Sequence, residues 1–220
     1  GPFVGCNVTV PHKEAAFSAV DEVEPAGRAI GAVNTIWRDG RRLVATSTDG
    51  VGFLANLDEG APGWDRAGGP AVILGAGGAA RAVVASLIEV GVPEVRISNR
   101  TRARADMLRS EFGAKVVVYD WVQAGNMLED ALTVVNTTSL GMTGKPEFRV
   151  PLDALSPSAV VTDLVYVPLK TRLLQEAEAV GCVTVDGLGM LLQQAAPAFE
   201  RWFGVRPEVD QAARDVVLAP

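Results

Sequence analysis

A glycine-rich turn between an apolar run and a helix-forming segment is the part of this chain most suited to binding a ligand. The turn spans residues 75–80 and follows the apolar run at 71–74. Gly75 permits a tight turn, Gly77 lets the backbone approach a pyrophosphate, and Ala80 is the third small residue, which packs helix on strand. Any close strand–helix crossing favours small residues, so the turn alone is weak support for a dinucleotide site.

The residues about twenty positions further along indicate which dinucleotide would bind. An NAD-binding protein ends the second strand of such a unit with Asp or Glu, which binds the ribose hydroxyls. Here that place reads Ser98-Asn99-Arg100, and Arg102 and Arg104 follow. A carboxylate would repel a 2′-phosphate, whereas guanidinium groups bind it through a planar fork of donors. The chain is therefore predicted to bind NADP(H); for Arg102 and Arg109 a solvated helix face is the preferred interpretation.

Nicotinamide chemistry also requires a proton-transfer group from the protein, and the chain offers few candidates. Its single histidine, His12, flanks a turn without a partner histidine, so no metal site is predicted. Lys13 follows a predicted strand at the start of a helix, although most lysines are solvated. Asp49 lies in a Thr-Asp-Gly turn, where capping the next helix is the commoner role. Asn34 is a polar residue in an apolar strand, where it binds either backbone or a substrate hydroxyl.

Composition narrows the class of protein. The 220 residues are 48% hydrophobic and 21% charged, which is typical of a globular protein. A formal net charge of −6 argues against a nucleic-acid partner. The sequence has no run of about eighteen apolar residues, so no membrane span is predicted. Cys6 and Cys182 have neither metal-site nor disulfide spacing, so both are interpreted as reduced thiols of a cytoplasmic protein.

Short apolar runs alternate with helical segments from residue 71 onward, which predicts a doubly wound (Rossmann) parallel sheet in an α/β fold. The predicted strands are 71–74, 94–98, 116–119, 133–136, 160–164 and 182–185. The predicted helices are 79–89, 103–111, a weaker one at 121–129, 170–180, 190–203 and 208–218. Phe199 and Trp202 are interpreted as core residues of the 190–203 helix.

The first part of the chain predicts a smaller α/β domain. Its predicted elements are a strand at 4–10, a helix to about residue 19, a hairpin of strands 32–38 and 43–47, and a helix at 51–57. The acidic cluster at 21–24 is interpreted as a solvated helix end, and the Gly- and Pro-rich residues 60–70 as a linker. We predict a substrate domain at 1–58, an NADP domain at 59–189, and C-terminal helices at 190–220 that pack back on the substrate domain.

Eight motifs, in this order, resemble those of the shikimate dehydrogenase family, and the resemblance runs nearly end to end. They are Asn-Val-Thr-Val-Pro-His-Lys at 7–13, Gly-Ala-Val-Asn-Thr at 31–35, Thr-Asp-Gly at 48–50, Gly-Ala-Gly-Gly-Ala at 75–79, Asn-Arg-Thr at 99–101, Asn-Thr-Thr-Ser-Leu-Gly-Met at 136–142, Asp-Leu-Val-Tyr at 163–166 and Asp-Gly-Leu-Gly-Met-Leu at 186–191. The family reversibly reduces 3-dehydroshikimate to shikimate with NADPH, in aromatic amino-acid biosynthesis.

The resemblance implies roles for particular residues. The implied catalytic pair is Lys13 and Asp49. The implied substrate-binding residues are Thr9, Asn34, Asp49, Tyr166 and Gln194. The implied cofactor-binding residues are Gly75, Ala76, Gly77, Gly78, Ala79, Asn99, Arg100, Thr101, Arg104, Thr137, Leu164, Gly187 and Met190. Burial and a nearby carboxylate act on a lysine in opposite directions, so we treat Lys13 and Asp49 as a coupled pair with Lys13 the favoured proton carrier.

The chain departs from the family at its start, where several dozen residues that bind the substrate carboxylate have no counterpart. We therefore expect the smaller domain to be incomplete at its N-terminus. Quinate/shikimate dehydrogenases often prefer NAD and carry an acidic residue after the Asn-Arg pair, whereas this chain has Thr101-Arg102. The alternatives are a quinate/shikimate or aminoshikimate dehydrogenase, or a fragment that binds NADP without turnover. A small-molecule substrate is expected, with the protein a monomer or homodimer.

Overall fold

The computed structural model describes residues 3–219, so residues 1, 2 and 220 of the predicted terminal domains lie outside it. Its first four strands are β1 (Gly5–Asn7), β2 (Glu22–Val23), β3 (Thr35–Asp39) and β4 (Arg42–Thr46). They form the small sheet, in the spatial order β1-β3-β4-β2, with β3 antiparallel to both of its neighbours. Helices α1 (Lys13–Ala19) and α2 (Pro25–Ile30) connect the first three strands, and α3 (Asp49–Gly60) leads away from β4.

Six further strands form the large sheet. They are β5 (Ala71–Leu74), β6 (Val95–Ser98), β7 (Val116–Tyr119), β8 (Thr133–Asn136), β9 (Val160–Asp163) and β10 (Val183–Val185). All pairs are parallel, in the order β10-β9-β8-β5-β6-β7. Helices α4 (Gly78–Glu89), α5 (Arg102–Phe112) and α6 (Arg172–Val180) are the crossovers. The prediction of a doubly wound parallel sheet is confirmed, and the strand order reverses between β5 and β8.

The large sheet is buried on both faces. Successive residues of a strand point in opposite directions, so each strand contributes side chains to both buried faces. In β5, Ile73 packs with Val83 and Leu87 of α4 on one face. Val72 and Leu74 pack on the other face, in a cluster that includes Leu173 of α6. This double burial explains why the strands consist almost entirely of apolar residues.

The last helices are α7 (Gly187–Phe203) and α8 (Gln211–Leu218). Helix α7 packs closely against α3. A Cβ added at Gly52 of α3 would lie 2.6 Å from the Gln194 Cβ of α7, and one added at Gly189 of α7 would lie 1.8 Å from the Asn56 Oδ1 of α3. The two backbones therefore approach where side chains are smallest, and this contact joins the helix after the small sheet to the helix after the large sheet.

Several local predictions are wrong. Strand β2 and helix α2 occupy the 21–30 region, where Glu22 is a strand residue paired with Arg42. The expected linker is partly core, since Ala61 and Trp64 are buried and the Trp64 indole donates to Asp58 over 2.9 Å. Phe199 is 42% exposed, so it is not a core residue.

Some helix boundaries also differ from the predicted ones, and side-chain caps explain two of these differences. Helix α7 begins at Gly187 rather than residue 190 because the Asp186 carboxylate accepts from the Leu188 N–H over 3.0 Å. Helix α6 begins after Thr171, whose hydroxyl accepts from Leu174 N–H. The weaker helix expected at 121–129 is instead two short 3₁₀ turns. Within residues 3–219, no helix combines the length and apolar character needed to span a bilayer.

Candidate active site

Lys13 and Asp49 form a buried ion pair. Lys13 is the first residue of α1 and Asp49 the first of α3, and the Lys13 Nζ lies 2.5 Å from the Asp49 Oδ2. Their side chains are only 11% and 4% exposed. Lys13 is therefore not a solvated surface lysine, and the two residues are close enough to exchange or share a proton.

The Thr48-Asp49 turn directs its polar side chains away from the start of its helix. Thr48 stands at the capping position of α3 but makes no side-chain capping bond. Its hydroxyl donates instead to the Gln194 carbonyl oxygen of α7 over 2.8 Å. The second oxygen of Asp49, Oδ1, accepts from the Asn34 amide over 3.0 Å. The capping role expected for Asp49 is wrong, because its carboxylate is occupied by Lys13 and Asn34.

Asn34 joins the elements of this cluster. It is 1% exposed, and its Nδ2 lies 3.0 Å from Asp49 Oδ1, 2.8 Å from Gln194 Oε1 and 2.9 Å from Thr48 Oγ1. Its Oδ1 accepts from the Thr48 N–H over 2.9 Å and from the Thr35 hydroxyl over 3.0 Å. Since an amide nitrogen carries two donors, these contacts fix the orientation of the side chain. The structure thus brings together Lys13, Asn34, Asp49 and Gln194, and adds Thr48, which was named above only as part of the Thr-Asp-Gly motif.

Two of the expected substrate residues lie outside this hydrogen-bonded cluster. The side chains of Thr9 and Tyr166 are exposed, Tyr166 to 38%. Within residues 3–219 neither side chain is hydrogen-bonded to Lys13, Asn34, Asp49 or Gln194. Both are therefore free to contact a small molecule, and their assignment to the substrate stays a prediction.

The glycine-rich turn lies between β5 and α4, at the carboxyl edge of the large sheet. Gly75 has a φ of +113°, which strongly favours glycine, and a Cβ there would lie 2.4 Å from the Thr137 Oγ1 after β8. A Cβ at Gly77 would meet no atom within 4 Å, so that side of the turn is open. Helix α4 has no acidic residue in its first turn and no side-chain cap. Its first N–H groups and positive dipole end fit a pyrophosphate.

Cationic side chains lie beside this turn, after β6. Asn99, Arg100 and Thr101 precede α5, and the Asn99 amide donates to the Thr101 carbonyl over 2.9 Å. Arg102 is ion-paired with two carboxylates, Asp120 at 2.6 Å and Asp106 at 3.6 Å. Arg100 and Arg104 are exposed and form no ion pair within the described residues 3–219. Two guanidinium groups without carboxylate partners fit an adenosine 2′-phosphate.

The remaining cofactor candidates lie at the same edge of the sheet. Leu164 follows β9, and Gly187 and Met190 begin α7 after β10. A Cβ at Gly187 would lie 2.6 Å from the Asp163 carbonyl oxygen and 2.7 Å from that of Leu164. The start of α7 therefore rests directly on the end of β9. These positions flank the point where the strand order reverses, which is where open α/β sheets bind ligands.

One contact connects the glycine-rich turn with the ion pair. A Cβ at Gly78, the first residue of α4, would lie 3.1 Å from the Lys13 Cβ and 3.4 Å from its Cδ. The aliphatic part of Lys13 therefore lies against the residue that opens the phosphate-binding helix. Both residues were expected at the site, but nothing in their sequence positions indicates that they touch.

Asp163 is the centre of a second polar network, which sequence analysis missed. It is fully buried at the end of β9, where Oδ1 accepts from the Asn136 amide over 2.9 Å and from the Val165 N–H over 3.0 Å. Oδ2 accepts from the Thr171 hydroxyl over 2.7 Å. These bonds close the loop that carries Leu164 and Tyr166. Burial raises the pKa of Asp163 to about 6, and hydrogen bonds from Thr171, Val165 and Asn136 oppose that rise. The sequence feature that could have indicated this network is an acidic residue near the end of a predicted strand.

The raised pKa of Asp163 predicts a pH-dependent contribution to stability. Because the folded pKa of about 6 exceeds the unfolded value of 3.8, the contribution is fully present below pH 3.8 and is lost as pH rises through 6. Relative to Asp163→Asn, the wild-type protein should gain about 1 kcal/mol of unfolding free energy between pH 7.5 and 5.5. Urea denaturation of both proteins at the two pH values measures this. A difference that stays constant, or shrinks on acidification, contradicts the prediction.

Comparisons with known proteins agree with this arrangement. Residues 1–36 match the family described as shikimate dehydrogenase substrate binding domain, 65–142 match shikimate/quinate 5-dehydrogenase, and 187–216 match the shikimate 5′-dehydrogenase C-terminal domain. A shikimate dehydrogenase (NADP(+)) of Cereibacter sphaeroides is 71% identical over 218 residues, covering 99% of this chain and 78% of that protein.

Two solved structures are also similar to the chain. Shikimate 5-dehydrogenase from Thermus thermophilus, in complex with NADP(H) and shikimate, is 40% identical with a TM-score of 0.83, covering 94% of this chain and 76% of that one. Quinate dehydrogenase from Corynebacterium glutamicum, in complex with NAD, is 32% identical with a TM-score of 0.89, covering 99% and 79%.

Proposed function

Because the chain belongs to the shikimate dehydrogenase family, we propose that it interconverts 3-dehydroshikimate and shikimate with NADP(H). The observation that carries this proposal is the buried Lys13–Asp49 pair, whose lysine lies against the first residue of α4. A titratable pair at that place can donate a proton when hydride is added to the substrate carbon and accept one when hydride is removed.

The division of work follows from the hydrogen bonds. Bound NADP(H) would supply or accept the hydride. In the direction of reduction Lys13 donates a proton from Nζ to the carbonyl oxygen of the substrate, and in oxidation its neutral amine accepts the proton from the hydroxyl. Asp49 orients the ammonium through Oδ2 and accepts from a neighbouring substrate hydroxyl. Asn34 holds the carboxylate in place, Gln194 in turn accepts from Asn34, and both side chains offer further contacts to the ring hydroxyls.

The cofactor would be held along the carboxyl edge of the large sheet. Residues 75–79 with Thr137 take the pyrophosphate, and Asn99, Arg100, Thr101 and Arg104 take the 2′-phosphate end. Leu164, Gly187 and Met190 would contact the nicotinamide. The absence of a carboxylate at the end of β6 supports NADP over NAD, since an acidic side chain there would repel a third phosphate.

The division of the chain is part of the same proposal. We assign residues 1–58 to the substrate domain, 59–189 to the NADP domain, and 190–220 to C-terminal helices that return to the substrate domain. The hydrogen bonds that Thr48 and Asn34 donate to Gln194 support that return. Thr9 and Tyr166 complete the substrate site. We place the protein in the cytoplasm as a monomer or homodimer, consistent with its free thiols at Cys6 and Cys182.

A turnover assay tests the substrate and cofactor together. Shikimate, quinate and aminoshikimate are each oxidised with NADP and with NAD, and kcat/KM is compared. We expect shikimate with NADP to exceed every other combination by about tenfold or more, because a site matched to a substrate's polar groups rejects analogues that leave those groups unpaired. A higher value for quinate with NAD would contradict the proposal. Binding of NADPH without oxidation of any substrate would indicate a cofactor-binding module.

A further inference from the structure

Arg81 of α4 is bonded to an element of the small sheet and to a second helix of the large one. Its Nε donates to the Ile30 carbonyl oxygen at the end of α2, and its Nη2 forms an ion pair with Glu111 of α5. The Arg81 side chain is 11% exposed, whereas that of Glu111 is 40% exposed. The bond to α2 is therefore the more protected of the two.

The guanidinium group sits on the carboxyl end of α2, where backbone carbonyls lack partners within the helix. Gly31 ends this helix with a φ of +63°, and a Cβ there would lie 2.9 Å from the Arg81 Nη2. A side chain at position 31 would thus both strain the backbone and displace the guanidinium. The positive charge also complements the negative end of the α2 dipole.

The residues that follow Ile30 hold both members of the ion pair. Three positions later, the Val33 N–H donates to the Lys13 carbonyl oxygen over 3.1 Å. One position further, the Asn34 amide donates to Asp49 Oδ1 over 3.0 Å. The segment 30–34 is therefore anchored by Arg81 at its first residue and anchors Lys13 and Asp49 at its last two.

The same face of α4 makes other contacts with this region. Gly78 lies against the Lys13 side chain, and Ala82 is buried with Ile30 and Ala32. Positions 78, 81 and 82 are three and four residues apart, so they share one face of the helix. The helix that begins at the phosphate-binding turn thus touches the lysine directly and, through Arg81, the segment that holds it.

We infer that Arg81 is a positioning residue, which sets the Lys13–Asp49 pair over the cofactor by fixing segment 30–34 against α4. The inference rests on the proposed function, since it concerns the reaction in which Lys13 carries the proton. Arg81 is not proposed to touch the substrate or the reacting atoms; it acts through segment 30–34. Its effect is on kcat, because small displacements of a proton donor from its reacting atom are costly.

The test compares Arg81→Ala with Glu111→Gln, which removes the exposed ion pair and leaves the bond to Ile30. Arg81→Ala is expected to lower kcat for shikimate oxidation by about tenfold or more, with methylguanidinium at millimolar concentration restoring part of it. The Kd of NADPH should stay within about threefold, because the helix dipole and turn remain. Glu111→Gln should change kcat by less than about twofold.

Amide exchange provides a readout that does not depend on turnover. In Arg81→Ala the amides of Val33 and Asn34 should exchange about fivefold faster or more, since segment 30–34 loses its anchor. Arg81→Lys keeps the charge without the planar fork, and serves if the alanine variant does not fold. Unchanged kcat, equal losses in kcat and NADPH affinity, or unchanged exchange would each overturn the inference. A wild-type protein without turnover refutes the proposed function instead, and the exchange result then decides whether Arg81 anchors the segment.

Discussion

Replacing Lys13 by methionine is expected to lower kcat for shikimate oxidation by about a thousandfold, since general acid–base groups contribute about 10²–10⁴ in rate. Methionine keeps an apolar stem against Gly78 while removing the titratable nitrogen. The Kd of NADPH should stay within about threefold because methionine preserves the aliphatic contact with Gly78, and the nitrogen that it removes is paired with Asp49. Steady-state kinetics and fluorescence titration measure the two quantities on the same preparation.

Two further variants separate proton transfer from charge. Lys13→Arg keeps a cation opposite Asp49 but does not release a proton near neutral pH, so its kcat should fall about as far as that of the methionine variant. Lys115 is an exposed lysine between α5 and β7, outside the candidate site. Lys115→Met is therefore the matched control, and its kinetics are expected to equal those of the wild type. A Lys13→Met protein that kept more than about a tenth of wild-type kcat would remove Lys13 from the mechanism.

Replacing both Arg100 and Arg104 by alanine should weaken NADPH binding by about a hundredfold. Hydrogen bonds to charged groups contribute about 1.5 kcal/mol or more each, and two of them give about 3 kcal/mol, or two factors of ten in Kd. NADH lacks the 2′-phosphate, so its Kd should change by less than about threefold. Isothermal titration with both cofactors measures the four constants.

Arg102→Ala is the internal control for this pair. Arg102 lies between the two arginines in sequence, but its guanidinium is ion-paired with Asp106 and Asp120. It would have to leave these carboxylates to bind a phosphate, whereas Arg100 and Arg104 would not. Its removal should change the Kd of NADPH by less than about threefold. Equal weakening of NADPH and NADH in the double variant would refute the 2′-phosphate assignment.

The large sheet was predictable because its signals are local. Four-residue apolar runs such as Ala71-Val72-Ile73-Leu74 belong to strands buried on both faces, and Gly75 marks the turn where β5 enters α4. Strand β2 was missed because two residues are too few to show a period. The residues at 60–70 looked like a linker by composition, yet burial of Trp64 depends on the core it meets after folding.

The candidate site was harder to predict from the sequence because its hydrogen bonds join distant parts of the chain. Lys13 and Asp49 are 36 residues apart, and Asn34 and Gln194 are 160 apart. No spacing rule relates such positions, and the pairing of Lys13 with Asp49 came from the family resemblance. Arg81 reads as an ordinary polar residue near a glycine-rich turn, and only the fold shows that its guanidinium reaches α2.

The hydrogen bonds that Thr48 and Asn34 donate to Gln194 have a consequence for synthesis of the protein. A nascent polypeptide that has emerged only as far as β10 already contains strands β1 to β10 and the lysine–carboxylate pair, but not the helix that completes the polar cluster. The polar cluster is therefore completed only after α7 has left the ribosome and docked on residues made 160 and 146 positions earlier.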